Sequence, residues 1–131
     1  LTLVSPSTLK MPVEIVSDLR EYGSEIMETE SLEDQIAGAD VIYVTRIQKE
    51  RFPDEDEYAK VAGIYKIGVS NLSGAMKGMI IMHPLPRVDE IDPGVDSTEF
   101  ARYFEQAFNG VPTRMALLCR SLGIDVPKEV N

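Results

Sequence analysis

Met79-Ile80-Ile81-Met82-His83-Pro84-Leu85-Pro86-Arg87-Val88-Asp89-Glu90-Ile91 is the stretch that decides how this chain folds. Its first four residues are a short apolar run of the kind that makes a buried strand, and Pro84 and Pro86 stop that strand almost at once. A proline pushes the residue before it out of the α region, so His83 and Leu85 are extended and the loop is stiff before any tertiary contact forms. Pro84 and Pro86 also lack an N–H, so the loop can present carbonyl acceptors with few competing donors, which suits a ligand carrying an NH2 group. Either X-Pro bond is open to the cis form, which in proline lies only about 0.5–1 kcal/mol above trans. For a generic Pro-x-Pro the commoner meaning is a plain turn between a strand and a helix.

Outward from this loop the chain alternates strand and helix signals. Residues 1–4 read as a strand closed by Ser5-Pro6. Pro12 suits a first helical turn, and Val13, Ile15, Val16, Leu19 and Tyr22 recur at helical spacing until Gly23. Residues 24–27 are a weaker strand candidate, and Ser31-Leu32-Glu33-Asp34 resembles a capping box for a short helix ended by Gly38. Residues 40–45 read as a strand buried on both faces, as in parallel sheets. Asp54, Glu55, Asp56 and Glu57 load the start of the next helix, where negative charge suits the macrodipole. Residues 65–69 read as a further strand and 70–76 as a helical turn.

A helix with the apolar stripe Phe100, Tyr103, Phe104, Ala107 and Phe108 is expected from Thr98 until Asn109-Gly110 interrupts it. The last helix, with Val111, Met115, Ala116, Leu117, Leu118, Cys119 and Leu122, is apolar on more than one face and calls for a docking surface outside this chain. The reading is an α/β fold: a doubly wound, mostly parallel sheet with helices on both faces. It divides into an α/β domain over residues 1–108, a terminal helix over 109–123 and a tail over 124–131.

The 131 residues fit one domain, and 44% apolar with 27% charged residues is ordinary for a globular chain. A net charge of -9 argues against nucleic acid or an anionic membrane as partner. The single Cys119 cannot form an internal disulfide, which favours a reducing, cytoplasmic compartment. No apolar run reaches the ~18 residues of a membrane span. The chain does not begin with Met, and its first residues already read as a strand, which points to a piece of a longer polypeptide.

Within this acidic chain Thr45-Arg46-Ile47-Gln48-Lys49-Glu50-Arg51 gathers three basic residues after a strand. In doubly wound sheets ligands bind beyond the carboxyl ends of the strands, where this loop and the proline loop both lie. Arginine matches carboxylate with a planar fork, and Gln48, two residues from Arg46 in an extended segment, points to the same side. Glu50 can pair with Arg46 and hold its fork. His83, the sole histidine, is a general-base candidate by type. No Gly-rich phosphate loop and no Cys, His or acid cluster with metal-ligand spacing occurs, so no cofactor and no metal is expected.

The two loops together resemble the hallmarks of aspartate transcarbamoylases, and the similarity runs from the first strand to the last apolar helix, including Ala101-Arg102-Tyr103-Phe104 and Met115-Ala116-Leu117-Leu118. The resemblance implies the family's second, aspartate-binding domain plus the C-terminal helix that returns to the first domain. It implies transfer of a carbamoyl group from carbamoyl phosphate to the amine of L-aspartate, giving N-carbamoyl-L-aspartate and phosphate in pyrimidine biosynthesis. By similarity Arg46 and Gln48 bind the aspartate side-chain carboxylate, Glu50 positions Arg46, and the carbonyls of Pro84 and Leu85 take the carbamoyl NH2. Arg51 and Arg87 are supporting basic groups, and His83 becomes a structural hydrogen-bonding residue.

Ornithine transcarbamoylases share the fold but carry a cysteine where this loop has Pro84, so an aspartate acceptor fits better. The family's phosphate loop and catalytic histidine belong before Leu1, so no catalytic residue is assigned here and the chain by itself is expected to be inactive. The implied partners are the absent carbamoyl-phosphate domain and a homotrimer of catalytic chains, with a regulatory subunit left open. The competing readings are an inactive transcarbamoylase-like domain kept for assembly, a transcarbamoylase for another amino acid, and a receiver-like binding module, which residues 1–7 disfavour because they lack an acidic pair.

Overall fold

The computed structural model describes residues 1–49, 52 and 54–125. Its strands are β1 (Thr2–Val4), β2 (Met27–Thr29), β3 (Val41–Tyr43) and β4 (Ile80–Met82), and its helices are α1 (Val13–Glu21), α2 (Glu33–Ile36), α3 (Glu55–Ala59) and α4 (Tyr103–Ser121). Short 3-10 turns cover Ser7–Leu9, Val69–Gly74 and Pro93–Ser97. The strands pair in parallel, β1 with β2 and β3 with β4, so the α/β class holds. They form two separate pairs rather than one sheet. Isolated parallel bridges, Ile81 to Ala101 and Ile67 to Ile91, extend the β4 side.

Local chemistry accounts for the helix ends. At the end of α1 the Gly23 N–H donates to the Arg20 carbonyl and the Ser24 N–H to the Leu19 carbonyl, a double closure that needs the left-handed backbone Gly23 supplies at φ 84°. Gly123, at φ 69°, closes α4 the same way onto Arg120, with Ile124 reaching Cys119. Ser31 Oγ accepts the Asp34 N–H at 3.4 Å before α2, and Asp54 Oδ1 accepts the Asp56 N–H at 2.9 Å before α3.

The core surrounds β4: Ile36, Ile67, Leu72, Met79, Ile81, Ile91, Val95 and Tyr103 form one buried cluster. The Ile81 N–H donates to the Phe100 carbonyl at 2.8 Å and the Ile81 carbonyl accepts the Arg102 N–H at 3.0 Å, which straps residues 100–102 along the free edge of β4.

Several expectations need correction. The second strand lies over Met27–Thr29 rather than 24–27, and within 65–69 only Ile67 makes a strand-type bridge. β3 is not buried on both faces, because Val41 and Tyr43 are about half exposed, at 51% and 54%, along an edge with no neighbour among the described residues. The helix begins at Tyr103 rather than Thr98, since the intervening backbone is spent on β4.

Asn109-Gly110 does not interrupt α4, which runs unbroken to Ser121 through an internal Pro112. The Thr113 hydroxyl donates to the Asn109 carbonyl at 2.7 Å and Arg114 Nη1 to the Gly110 carbonyl at 3.0 Å, so side chains cover carbonyls around the proline. On α4 Phe104, Phe108, Met115 and Leu118 are exposed, as is Leu122 just beyond it, and Cys119 is partly buried. Among the described residues no helix is long and apolar enough to cross a membrane.

Candidate functional site

The register Tyr43 to Met82, prolonged by the Val44 N–H donating to the Met82 carbonyl at 2.9 Å, sends residues 45–48 and 83–86 off the same sheet end side by side. This is the carboxyl end of a parallel pair, the usual ligand edge of such folds. The structure therefore brings the basic loop and the proline loop together. Arg46 and Gln48 line a cleft of about 1060 Å³ whose wall also includes Tyr65, Asp89 and Glu90. Lys49 turns away to an ion pair with Glu55 at 2.8 Å; hydrogen bonding to Glu55 raises its pKa and lowers that of Glu55. Glu50 and Arg51 lie outside the described residues.

The proline loop is built on His83, which is 1% exposed. Its Nδ1 accepts the Leu85 N–H at 2.8 Å, and an amide N–H can only donate, so Nδ1 carries no proton. Nε2 therefore holds the ring hydrogen and donates it to Glu90 Oε1 at 2.6 Å. Glu90 Oε2 accepts the N–H groups of Val88 at 3.1 Å and Asp89 at 3.0 Å. One histidine and one glutamate thus tie both halves of the loop.

Leu85 sits at φ 46°, a left-handed conformation that costs a side-chain-bearing residue about 1–2 kcal/mol and that the bond to His83 helps hold. The Leu85-Pro86 bond is cis. Among the described residues no donor reaches the Pro84 or Leu85 carbonyl.

Arg87 is committed to a structural contact. It grips Asp96 with both nitrogens, Nη2 to Oδ2 at 2.6 Å and Nη1 to Oδ1, and Nη1 also donates to the Tyr103 hydroxyl at 3.1 Å. The Tyr103 hydroxyl in turn donates to Asp96 Oδ1, and the guanidinium lies 5.4 Å from the Tyr103 ring centre. Hydrogen bonding to Asp96 raises the Arg87 pKa, hydrogen bonding to Arg87 lowers that of Asp96, and burial with the Asp96 contact pushes Tyr103 up to about 12.

Sequence reading missed Glu90, Asp96 and Gln106. The Gln106 side chain accepts the His83 N–H at 2.9 Å and donates to the Tyr43 hydroxyl at 3.4 Å, linking α4 to both strands. Glu90 stands seven positions beyond the only histidine, across two prolines, a signal that could have paired them. Asp96 and Gln106 gave none.

An acid-stability result follows. Burial alone would raise the Glu90 carboxyl, but its backbone N–H partners and His83 outweigh that and hold its pKa below 4.5. Asp96 is likewise held below 3.8. Both carboxyls bind protons more weakly folded than unfolded, so their stabilisation is complete above the unfolded carboxylate range and lost as pH falls through the lowered values. Through these two carboxyls urea midpoints should drop as pH falls below about 4. Asp96→Asn should flatten the drop, and an unchanged acid limb would show that Asp96 is not a source of it.

Parallel strands joined through helices, with a cation-bearing loop and a donor-poor loop at one sheet end, define an α/β domain whose polar loops gather at the carboxyl end of the strands. The chain belongs to the aspartate/ornithine carbamoyltransferase family: the model of that family's Asp/Orn binding domain matches residues 1–120. The aspartate carbamoyltransferase catalytic subunit of Methanocella arvoryzae is 57% identical over 126 residues, 96% of this chain and 41% of that protein. The one from Thermococcus kodakarensis is 56% identical, with 95% and 40% covered.

Among solved structures, the catalytic subunit of M. jannaschii aspartate transcarbamoylase superposes with a TM-score of 0.81 at 53% identity, covering 91% of this chain and 39% of that one. Trypanosoma cruzi aspartate transcarbamoylase in complex with carbamoyl phosphate and aspartate gives 0.80 at 36% identity, covering 89% and 39%. The chain spans about two fifths of the length of these relatives.

Proposed function

We propose that this chain is the aspartate-binding part of an aspartate carbamoyltransferase, a transferase of pyrimidine biosynthesis. The observation that supports the reading is that the loop bearing Arg46 and Gln48 and the loop bearing the open Pro84 and Leu85 carbonyls leave the same end of the β3 and β4 pair, with Arg46, Gln48, Asp89 and Glu90 lining one cleft there. Arg46 and Gln48 take the side-chain carboxylate of L-aspartate, with Glu50 and Arg51 in support. The Pro84 and Leu85 carbonyls accept the two hydrogens of the carbamoyl NH2, which turns the carbonyl carbon toward the amine. Arg87 contributes indirectly, by fixing the loop through Asp96 and Tyr103.

The neutral amine attacks the carbamoyl carbon, the C–O bond to phosphate breaks with its electron pair, and the amine nitrogen gives up one proton. What these residues supply is orientation, which in favourable intramolecular cases is worth roughly 7–11 kcal/mol of barrier. Carbamoyl phosphate is held mainly by a separate carbamoyl-phosphate domain, and the working form is a homotrimer in a cytoplasmic setting, with a regulatory subunit as a further partner. The exposed apolar side chains of α4 over residues 109–123 support docking on that domain.

The test is carbamoyl-aspartate formation by this chain alone and after adding the separately expressed first domain of the Methanocella arvoryzae subunit. Activity only in the mixture is expected. Turnover by the chain alone would reject the half-site reading, and silence from a folded, associated mixture would favour the inactive assembly domain.

A further inference from the structure

The basic loop and the proline loop spring from Tyr43 and Met82, a register pair at the end of β3 and β4. The bond from the Val44 N–H to the Met82 carbonyl brings the two roots together, and just past it one side chain reaches both. Gln106, in the first turn of α4, accepts the His83 N–H through Oε1 at 2.9 Å and donates through Nε2 to the Tyr43 hydroxyl at 3.4 Å. A backbone N–H can only donate, so the amide oxygen faces His83 and the NH2 group faces Tyr43.

Gln106 stands on a fixed base. Residues 100–102 are laced to Ile81 of β4, by the Ile81 N–H to the Phe100 carbonyl and by the Arg102 N–H to the Ile81 carbonyl. The Gln106 N–H then donates to the Arg102 carbonyl at 2.8 Å, and Tyr103, three positions earlier, is fully buried in the same cluster as Ile81. From this post two short routes lead into the loops. One runs through His83, whose Nδ1 accepts the Leu85 N–H at 2.8 Å. The other runs through Tyr43, three residues before Arg46.

We propose that Gln106 is a positioning residue that sets the spacing between the two substrate loops, because its one amide holds the root of the loop bearing Arg46 and Gln48 and the root of the loop bearing Pro84 and Leu85. The proposal rests on the assignment of those loops to the aspartate carboxylate and the carbamoyl NH2. Reaction needs the amine and the carbamoyl carbon about 3–3.5 Å apart, and a misplacement of about 1 Å can cost roughly a hundredfold in rate. Aspartate alone is gripped by the first loop and the carbamoyl group by the second. Loosening the bracket therefore spares each grip and spoils the approach. Its signature is a fall in kcat with both KM values held.

The test uses a complete enzyme that joins this domain to the first domain of the Methanocella arvoryzae subunit. Gln106→Met keeps the length of the side chain and removes both hydrogen bonds. It should lower kcat at least tenfold, with the KM of aspartate and of carbamoyl phosphate each within about threefold of the parent. Gln106→Glu should keep kcat within about threefold, because a carboxylate accepts the His83 N–H and the Tyr43 hydroxyl can turn to donate to it. A merely structural role would lower the urea midpoint and leave kcat per folded enzyme unchanged. Tyr43→Phe removes the second bond alone, should lower kcat at least threefold with both KM values held, and carries the test should Gln106→Met fail to fold. A kcat kept within about threefold by a folded Gln106→Met, a KM rise as large as the kcat loss, or a Gln106→Glu as impaired as Gln106→Met would each overturn the proposal. So would an unchanged kcat in Tyr43→Phe where Gln106→Met does not fold. A parent enzyme without turnover would overturn the reading of the loops and this proposal with it, whereas Arg46→Ala raising the aspartate KM beside a normal Gln106→Met would overturn this proposal alone.

Discussion

Replacing Arg46 with alanine in a complete enzyme, made by joining this domain to the first domain of the Methanocella arvoryzae subunit, should raise the aspartate KM or lower turnover by about thirty- to a thousand-fold. The estimate corresponds to about 2–4 kcal/mol for losing a two-pronged, charge-assisted contact to a carboxylate. The Arg46 side chain lies in the cleft on a loop anchored by the Val44 to Met82 hydrogen bond, so its truncation leaves the β3 and β4 ladder intact. The loss should appear in the aspartate dependence with carbamoyl-phosphate affinity within about threefold of the parent. Arg46→Lys should recover only part of the loss, because an ammonium group restores the charge without the planar fork. An aspartate dependence unchanged by Arg46→Ala would remove Arg46 from the acceptor site.

That experiment turns on a residue the sequence marks openly, a cation in an acidic chain directly after an apolar strand. The proline loop was legible as a stop to β4, since Pro84 and Pro86 constrain their own backbone wherever the chain goes, but Leu85, expected to be extended, stands at φ 46°, where the Leu85 N–H reaches His83. Parallel strands, the Gly23 stop and the acidic start of α3 were legible for the same reason: each depends on neighbours within a few positions. What stayed hidden depends on partners distant in sequence. Arg87 reads as one more basic group near the site until Asp96 and Tyr103 arrive beside it. The apolar run of β3 reads as doubly buried, yet Val41 and Tyr43 face an edge that no strand among the described residues covers. Asn109-Gly110 looked like a break because local propensity costs about 1 kcal/mol per residue, less than a long helix gains from its flanking turns.

The largest effect on stability is expected at Glu90. Glu90→Ala deletes the acceptor of the buried His83 Nε2–H and of the Val88 and Asp89 N–H groups in one step. Stranding a buried donor and removing a buried charged partner together cost about 3–5 kcal/mol, a large share of the 5–15 kcal/mol that holds a typical domain. The urea midpoint should fall accordingly with an unchanged slope. Glu90→Gln should cost less, since its amide oxygen can still receive the His83 hydrogen while its NH2 meets the Val88 and Asp89 donors.

The pairing itself is tested by His83→Ala and the double variant. If the two side chains act as one tie, removing both costs clearly less than the sum of the single losses. Additive losses, or a Glu90→Ala midpoint within about 1 kcal/mol of the parent, would show that the loop is held by its prolines and by Arg87 instead. The tie also bears on the reaction. His83 Nδ1 holds the Leu85 N–H, and Leu85 carries one of the two carbonyls proposed to orient the carbamoyl group. In the joined enzyme His83→Ala should therefore lower kcat more than it raises the aspartate KM, the reverse of the pattern expected at Arg46.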